Sequence, residues 1–148
     1  MQATEARPPQ EVSPAHNPDL RLNICVVFTS LEETTAAMRA AGKLADRLGV
    51  LITLVVPVVV SYQLPLEQPP VPRYWNEERL RALAAEAGVE TRVRIYPCRD
   101  FLDKLKEVVK PRSLVVIGGK SFWWFSSANR LARLLRRLGH EVILAETE

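Results

Sequence analysis

The run Leu114-Val115-Val116-Ile117-Gly118-Gly119-Lys120-Ser121 constrains the fold more than any other stretch of the chain. Its apolar part is short, unbroken and rich in β-branched residues, the pattern of a strand buried on both faces inside a parallel sheet that helices cover. An antiparallel sheet with one wet face would alternate instead. The strand is expected to empty at Gly118 into a loop whose amides, unshielded at Gly118 and Gly119, can hold an anion beside the positive charge of Lys120. Ser126 or Ser127 then opens a helix whose N-terminus also favours negative charge.

A chain of 148 residues is long enough to bury roughly 70% of its unfolded surface in one core. It needs no staples. Cys25 and Cys98 stand far apart with neither a C-x-x-C spacing nor a histidine cluster, which implies neither a disulfide framework nor a zinc site and fits a reducing cytoplasm. The net charge of +3 is spread among acids in most segments, so nucleic acid is not an expected partner. Met1 to Asp19 is rich in Pro, Ala and Glu and lacks the apolar core of a signal peptide. Residues 1–20 are therefore read as a disordered tail, and 21–148 as one α/β domain. The longest apolar run, Val50 to Val60, contains Thr53 and Pro57 and is much shorter than the roughly 20 residues of a spanning helix.

Taken in order, Asn23 to Phe28 reads as a central strand that passes straight into a helix, with Ser30 and Glu33 at capping-box spacing. Ala37, Ala41, Leu44, Ala45 and Leu48 recur at helical spacing and Gly49 stops the run. Val50 to Val60 is the next strand. Pro65, Pro69, Pro70 and Pro72 make Ser61 to Arg73 an extended surface segment, and Tyr74 to Ala87 follows as a helix with Leu80, Leu83, Ala84 and Ala87 inward. Val89 to Tyr96 alternates, with Glu90, Arg92, Arg94 and Tyr96 on one side, which marks an edge strand. Asp100 caps a third helix that places Leu102, Leu105, Val108 and Val109 inward and ends at Lys110-Pro111. Leu114 to Ile117 is the fourth strand, and Leu131, Leu134, Leu135 and Leu138 are the inner stripe of the fourth helix. Val142 to Ala145 closes the chain as a fifth strand. Five strands alternate with four helices, the pattern of an open parallel α/β sheet covered on both faces. Ligands in such sheets lie beyond the carboxyl ends of the strands where the winding reverses, and the two polar strand ends, Thr29-Ser30 and Gly118 to Ser121, are expected to flank one crevice.

The chain resembles the universal stress protein family, of the adenine-nucleotide alpha-hydrolase-like superfamily, over Asn23 to Ala145. Ile24 to Thr53 looks like the family's first β-α-β unit, Phe101 to Gly118 like its third helix and fourth strand, and Arg130 to Ala145 like its closing helix and strand. The resemblance implies strand order 3-2-1-4-5, a homodimer joined through the last strand, and ATP in the crevice. Members that bind ATP carry an aspartate where Thr29 stands. They also have a Gly-x-x-Gly after the fourth strand and a closing Gly with Ser or Thr; Gly118 fits the first position, Ser121 replaces the second glycine, and Ala128-Asn129 stand for the final pair after a shorter segment. A Cβ at those positions blocks close backbone approach to phosphates.

These departures lead to the expectation of a non-enzymatic, cytoplasmic regulatory or stress-response module with a degenerate nucleotide site and no cofactor. The alternative is a working ATP binder in which Thr29, Ser30, Gly118, Gly119, Lys120 and Ser121 cradle the ligand and Ser127 and Asn129 donate to phosphate. Gly119-Lys120-Ser121 also matches the tail of a P-loop, but Leu114 holds the leading glycine's place. Phe122-Trp123-Trp124-Phe125 cannot all face one core from a loop or first helical turn. They fill the crevice, meet a protein partner, or dock shallowly on a membrane with help from Arg130, Arg133, Arg136 and Arg137. Cys98, beside Arg99 and near a helix start, is in a setting that can lower a thiol pKa, whereas Cys25 reads as core. No catalytic constellation and no metal ligand set emerges.

Overall fold

A computed structural model describes residues 23–63, 73–111, 113–119 and 127–147. The tail 1–20, the proline-rich part of the 61–73 segment, Lys120, Ser121 and the aromatics 122–125 lie outside them. The elements run β1 (Asn23–Val27), α1 (Leu31–Leu48), β2 (Ile52–Val59), α2 (Arg73–Ala85), β3 (Thr91–Cys98), α3 (Phe101–Val108), β4 (Ser113–Gly119), α4 (Ser127–Arg137) and β5 (Glu141–Glu146). All strand pairs are parallel and the order is β3-β2-β1-β4-β5. The winding goes outward from β1 to β3, then returns across β1 to β4. That reversal puts the ends of β1 and β4 side by side.

Alternation along each strand divides the interior into two layers. Ile24, Val26, Ile52 and Leu54 point to one face and pack with Ala37, Met38, Ala41 and Ala45 of α1 and Leu80 and Leu83 of α2. Cys25, Val27, Val55, Val115 and Ile117 point to the other, against Leu105 of α3 and Ala128, Leu131, Ala132 and Leu135 of α4. The alanine face lets α1 lie close to the sheet, and Gly42 lets it lie close to the end of α2: a Cβ there would sit 2.0 Å from the Ala87 carbonyl oxygen. Burial of each large aliphatic side chain contributes roughly 1.5 to 3 kcal/mol.

The helix boundaries follow their caps. Ser30 Oγ accepts from the Glu33 N–H at 3.2 Å and Asp100 Oδ1 from the Asp103 N–H at 2.8 Å. Gly49 closes α1 in the left-handed conformation at φ 67°. Three helical stripes are narrower than their leucine spacing predicts, because Leu48, Leu102 and Leu138 reach solvent while Ala45, Leu105 and Leu135 are buried. Leu102 lies in the first turn of α3, and Leu138 lies just past the end of α4.

Two strands run further than the sequence expectation, through Pro97 and through Gly118-Gly119. β3 runs through Pro97 to Cys98. The Cys98 carbonyl accepts from Val60 N–H, so in an alternating strand Pro97 turns its missing donor to the open edge, where none is required. Pro57 sits inside β2 for a related reason: the Val55 carbonyl bonds Phe28 N–H and pairing with β1 stops at Val27↔Val55, so Pro57 faces past the end of β1. β4 continues through Gly118 and Gly119, which pair with Ala145 and Glu146 of β5. Both glycines therefore belong to the sheet, where the sequence led to the expectation of a loop.

Candidate functional site: a crevice at the ends of β1 and β4

Past Val27 the chain leaves the sheet as Phe28-Thr29-Ser30 and enters α1 at once. The Thr29 N–H donates to Thr34 Oγ1 at 3.0 Å, which ends the ladder with β4. Thr29 Oγ1 is itself buried with no hydrogen-bond partner among the described residues. Ser30 is exposed, and its hydroxyl oxygen serves as the cap of α1.

Gly118 and Gly119 answer to the two neighbouring helices. A Cβ on Gly118 would stand 1.8 Å from the Glu33 carbonyl oxygen, and one on Gly119 would stand 2.4 Å from the Ala128 Cβ. The first turns of α1 and α4 therefore straddle the end of β4 so closely that only glycine fits. Two helix N-termini converge there, and the positive ends of their dipoles make the spot favourable to negative charge. Set against this, Glu33 Oε2 comes within 4.0 Å of the Gly119 Cβ position, so a carboxylate of the chain itself occupies that neighbourhood.

The crevice opens between α1, α3 and α4 as a cleft of about 660 Å³ lined by Thr29, Glu33, Phe101, Ala128 and the arginine row Arg130, Arg133 and Arg137. One wall is acidic and the other basic. Of the described residues expected to bind, Thr29 lines the cleft, while Gly118 and Gly119 lie behind it against Glu33 and Ala128 and Ser30 caps α1 beside it; Asn129 is partly buried in the first turn of α4, which Ser127 opens. Sequence reasoning read Glu33 only as a helix cap and the arginines only as an aid to membrane docking. Their presence in one cleft depends on strand order, which no local pattern reveals.

Both thiols are buried. Cys25 is pushed up to about 12 by its apolar surroundings. Cys98 is also raised, chiefly by burial and only partly opposed by Lys104, so the setting that suggested a reactive thiol acts the other way. No group of three or more His, Cys, Asp or Glu among the described residues is placed to hold a metal ion. None of the described helices is long and apolar enough to cross a membrane.

A five-stranded parallel sheet in the order 3-2-1-4-5, with a crevice at its reversal point, defines an open, doubly wound α/β fold. Among such folds it is that of the universal stress proteins. The universal stress protein from Archaeoglobus fulgidus in complex with dAMP superposes with a TM-score of 0.56 at 16% identity, covering 84% of this chain and 97% of that one. A universal stress protein in complex with cAMP gives 0.54 at 19% identity, covering 85% and 98%. A protein of the universal stress protein family from Burkholderia pseudomallei gives 0.51 at 19%, covering 82% and 94%. No family model and no curated protein matches the sequence.

Proposed function

We propose that this chain is a non-enzymatic, cytoplasmic regulatory module of the universal stress protein type, working as a homodimer, whose crevice no longer cradles a polyphosphate. The observation that carries the reading is Glu33. Its carboxylate lies beside Gly119, at the strand end where phosphate would approach, and like charges at such range disfavour each other. Thr29 in place of an aspartate, and Ser121 in place of a glycine, support the same conclusion.

A second reading has its own support. The basic wall of Arg130, Arg133 and Arg137 can receive a single phosphate away from Glu33, and two neighbours of the fold hold adenosine monophosphates. Calorimetric titration of the full chain with ATP, dAMP and cAMP separates the readings. The first expects ATP to bind no more tightly than about 1 mM, with Glu33→Gln improving that affinity. Stoichiometric micromolar ATP binding by the unmodified chain would overturn it, and saturable cAMP binding abolished by Arg130→Gln would establish the second.

Association through β5 rests on an open edge. β5 pairs with β4 on one side only, and Ile143 on it is 39% exposed. An unprotected apolar edge is a template for a second copy.

A further inference from the structure

The sheet face that meets α3 and α4 is covered unevenly. α3 spans Phe101–Val108, only about 12 Å, and at the amino edge of the sheet it leaves β2 and β3 bare. There Thr53, Arg92, Arg94, Tyr96, Val109 and Lys110 line a cleft of about 220 Å³. It lies at the opposite end of the strands from the crevice described above. Arg92 and Arg94 stand two apart on β3, in register with Thr53 and Val55, so both project to the same face. The lining includes three cations and no carboxylate, and no ion pair among the described residues engages Arg92, Arg94 or Lys110.

Charge on an edge strand often serves only to keep other strands away. Here the two exposed arginines also line a concave surface that the buried Val55 and Val109 back with apolar groups, and charges near such a wall interact more strongly than in open water. Side chains at i and i+2 on one strand are about 7 Å apart, and an anion between them relieves their repulsion. Arginine forks match phosphate oxygens in pairs. Three cations suit a dianion better than a single carboxylate.

We propose that this cleft binds the dianionic phosphate of a small phosphomonoester, with Arg92 and Arg94 holding the phosphate oxygens, Lys110 adding the third charge, and Val55 and Val109 receiving the organic part. The test uses the full chain with inorganic phosphate and phenyl phosphate as probes, followed by NMR of the arginine Nε–H signals. The proposal expects saturable shifts at Arg92 and Arg94 that sodium chloride of equal ionic strength does not reproduce. Binding of phenyl phosphate should tighten between about pH 5.5 and pH 7.5, as the monoester passes its second ionisation near pH 6. The double variant Arg92→Gln/Arg94→Gln should lose at least about tenfold in affinity, on the scale of one charge-assisted contact, while Lys43→Gln/Arg47→Gln on exposed α1 positions, which removes the same charge, should not. Equal loss in both double variants, shifts reproduced by chloride, or shifts confined to Arg130 would overturn it. So would a polyglutamate peptide that binds more tightly than either phosphate, which would assign the cleft to a protein partner.

Discussion

At the scale of single residues, glycines with different duties separate cleanly. Gly118 has an ordinary φ but no room, since the Glu33 backbone would lie 1.8 Å from its Cβ, whereas Gly49 has open space around it and a φ of 67°. Gly118→Ala is expected to lose more than about 3 kcal/mol, because rigid backbone must move. Gly49→Ala should lose about 1 kcal/mol, the conformational penalty alone. Urea unfolding of the two variants measures the difference, and equal losses would show that α1 does not press on β4. The buried thiol gives a second expectation. Cys25 is raised from 9.0 to about 12, so from about pH 9 to pH 12 the unfolded chain releases a proton that the folded chain keeps. Stability is fully present below pH 9 and falls through that window, by on the order of 4 kcal/mol, with Cys98 acting in the same direction. Thiol labelling at pH 8 should accordingly require unfolding.

At the scale of elements, the helices declare themselves locally and the strands less so. Ser30, Asp100 and Gly49 mark helix ends by a hydrogen bond or a backbone conformation that involves only near neighbours. Ser30→Ala and Asp100→Ala should each reduce stability by about 1 kcal/mol, seen in thermal unfolding. Leu105, the buried side chain of short α3, should cost about 2 to 5 kcal/mol on truncation to alanine; a loss near zero would mean that α3 is not docked on the sheet. Pro97 and the Gly118-Gly119 pair lie inside strands that sequence reasoning ended just before them, whereas Pro57 lies inside a strand that it ran straight through. Whether a proline fits a strand depends on which neighbour its nitrogen faces, and that is a property of the sheet.

At the scale of the whole molecule, β3 and β5 are the two edges, and they are finished differently. β3 carries Arg92, Arg94 and an outward-facing Pro97, all of which discourage a further strand. β5 has Glu141 and Glu146 at its ends but exposes Ile143 between them. Light scattering after gel filtration should therefore find a dimer, and Ile143→Lys should shift it to monomer without loss of helical signal. A monomer in the unmodified chain at about 100 μM, where specific dimers assemble by mass action, would remove the β5 interface.

The sequence by itself determined the number of strands and helices, the helix caps, the wet face of β3 and the buried nature of β1 and β4, because periodicity and capping act over a few residues. The tertiary structure alone decided that Glu33, Gly118 and Ala128 meet at one point, that Arg130, Arg133 and Arg137 wall the same cleft as Thr29, and that Arg92, Arg94 and Lys110 surround another. Those groups come from segments far apart in the chain. They become neighbours only through the order in which parallel strands are laid beside one another and the close approach that small residues permit between helix and sheet.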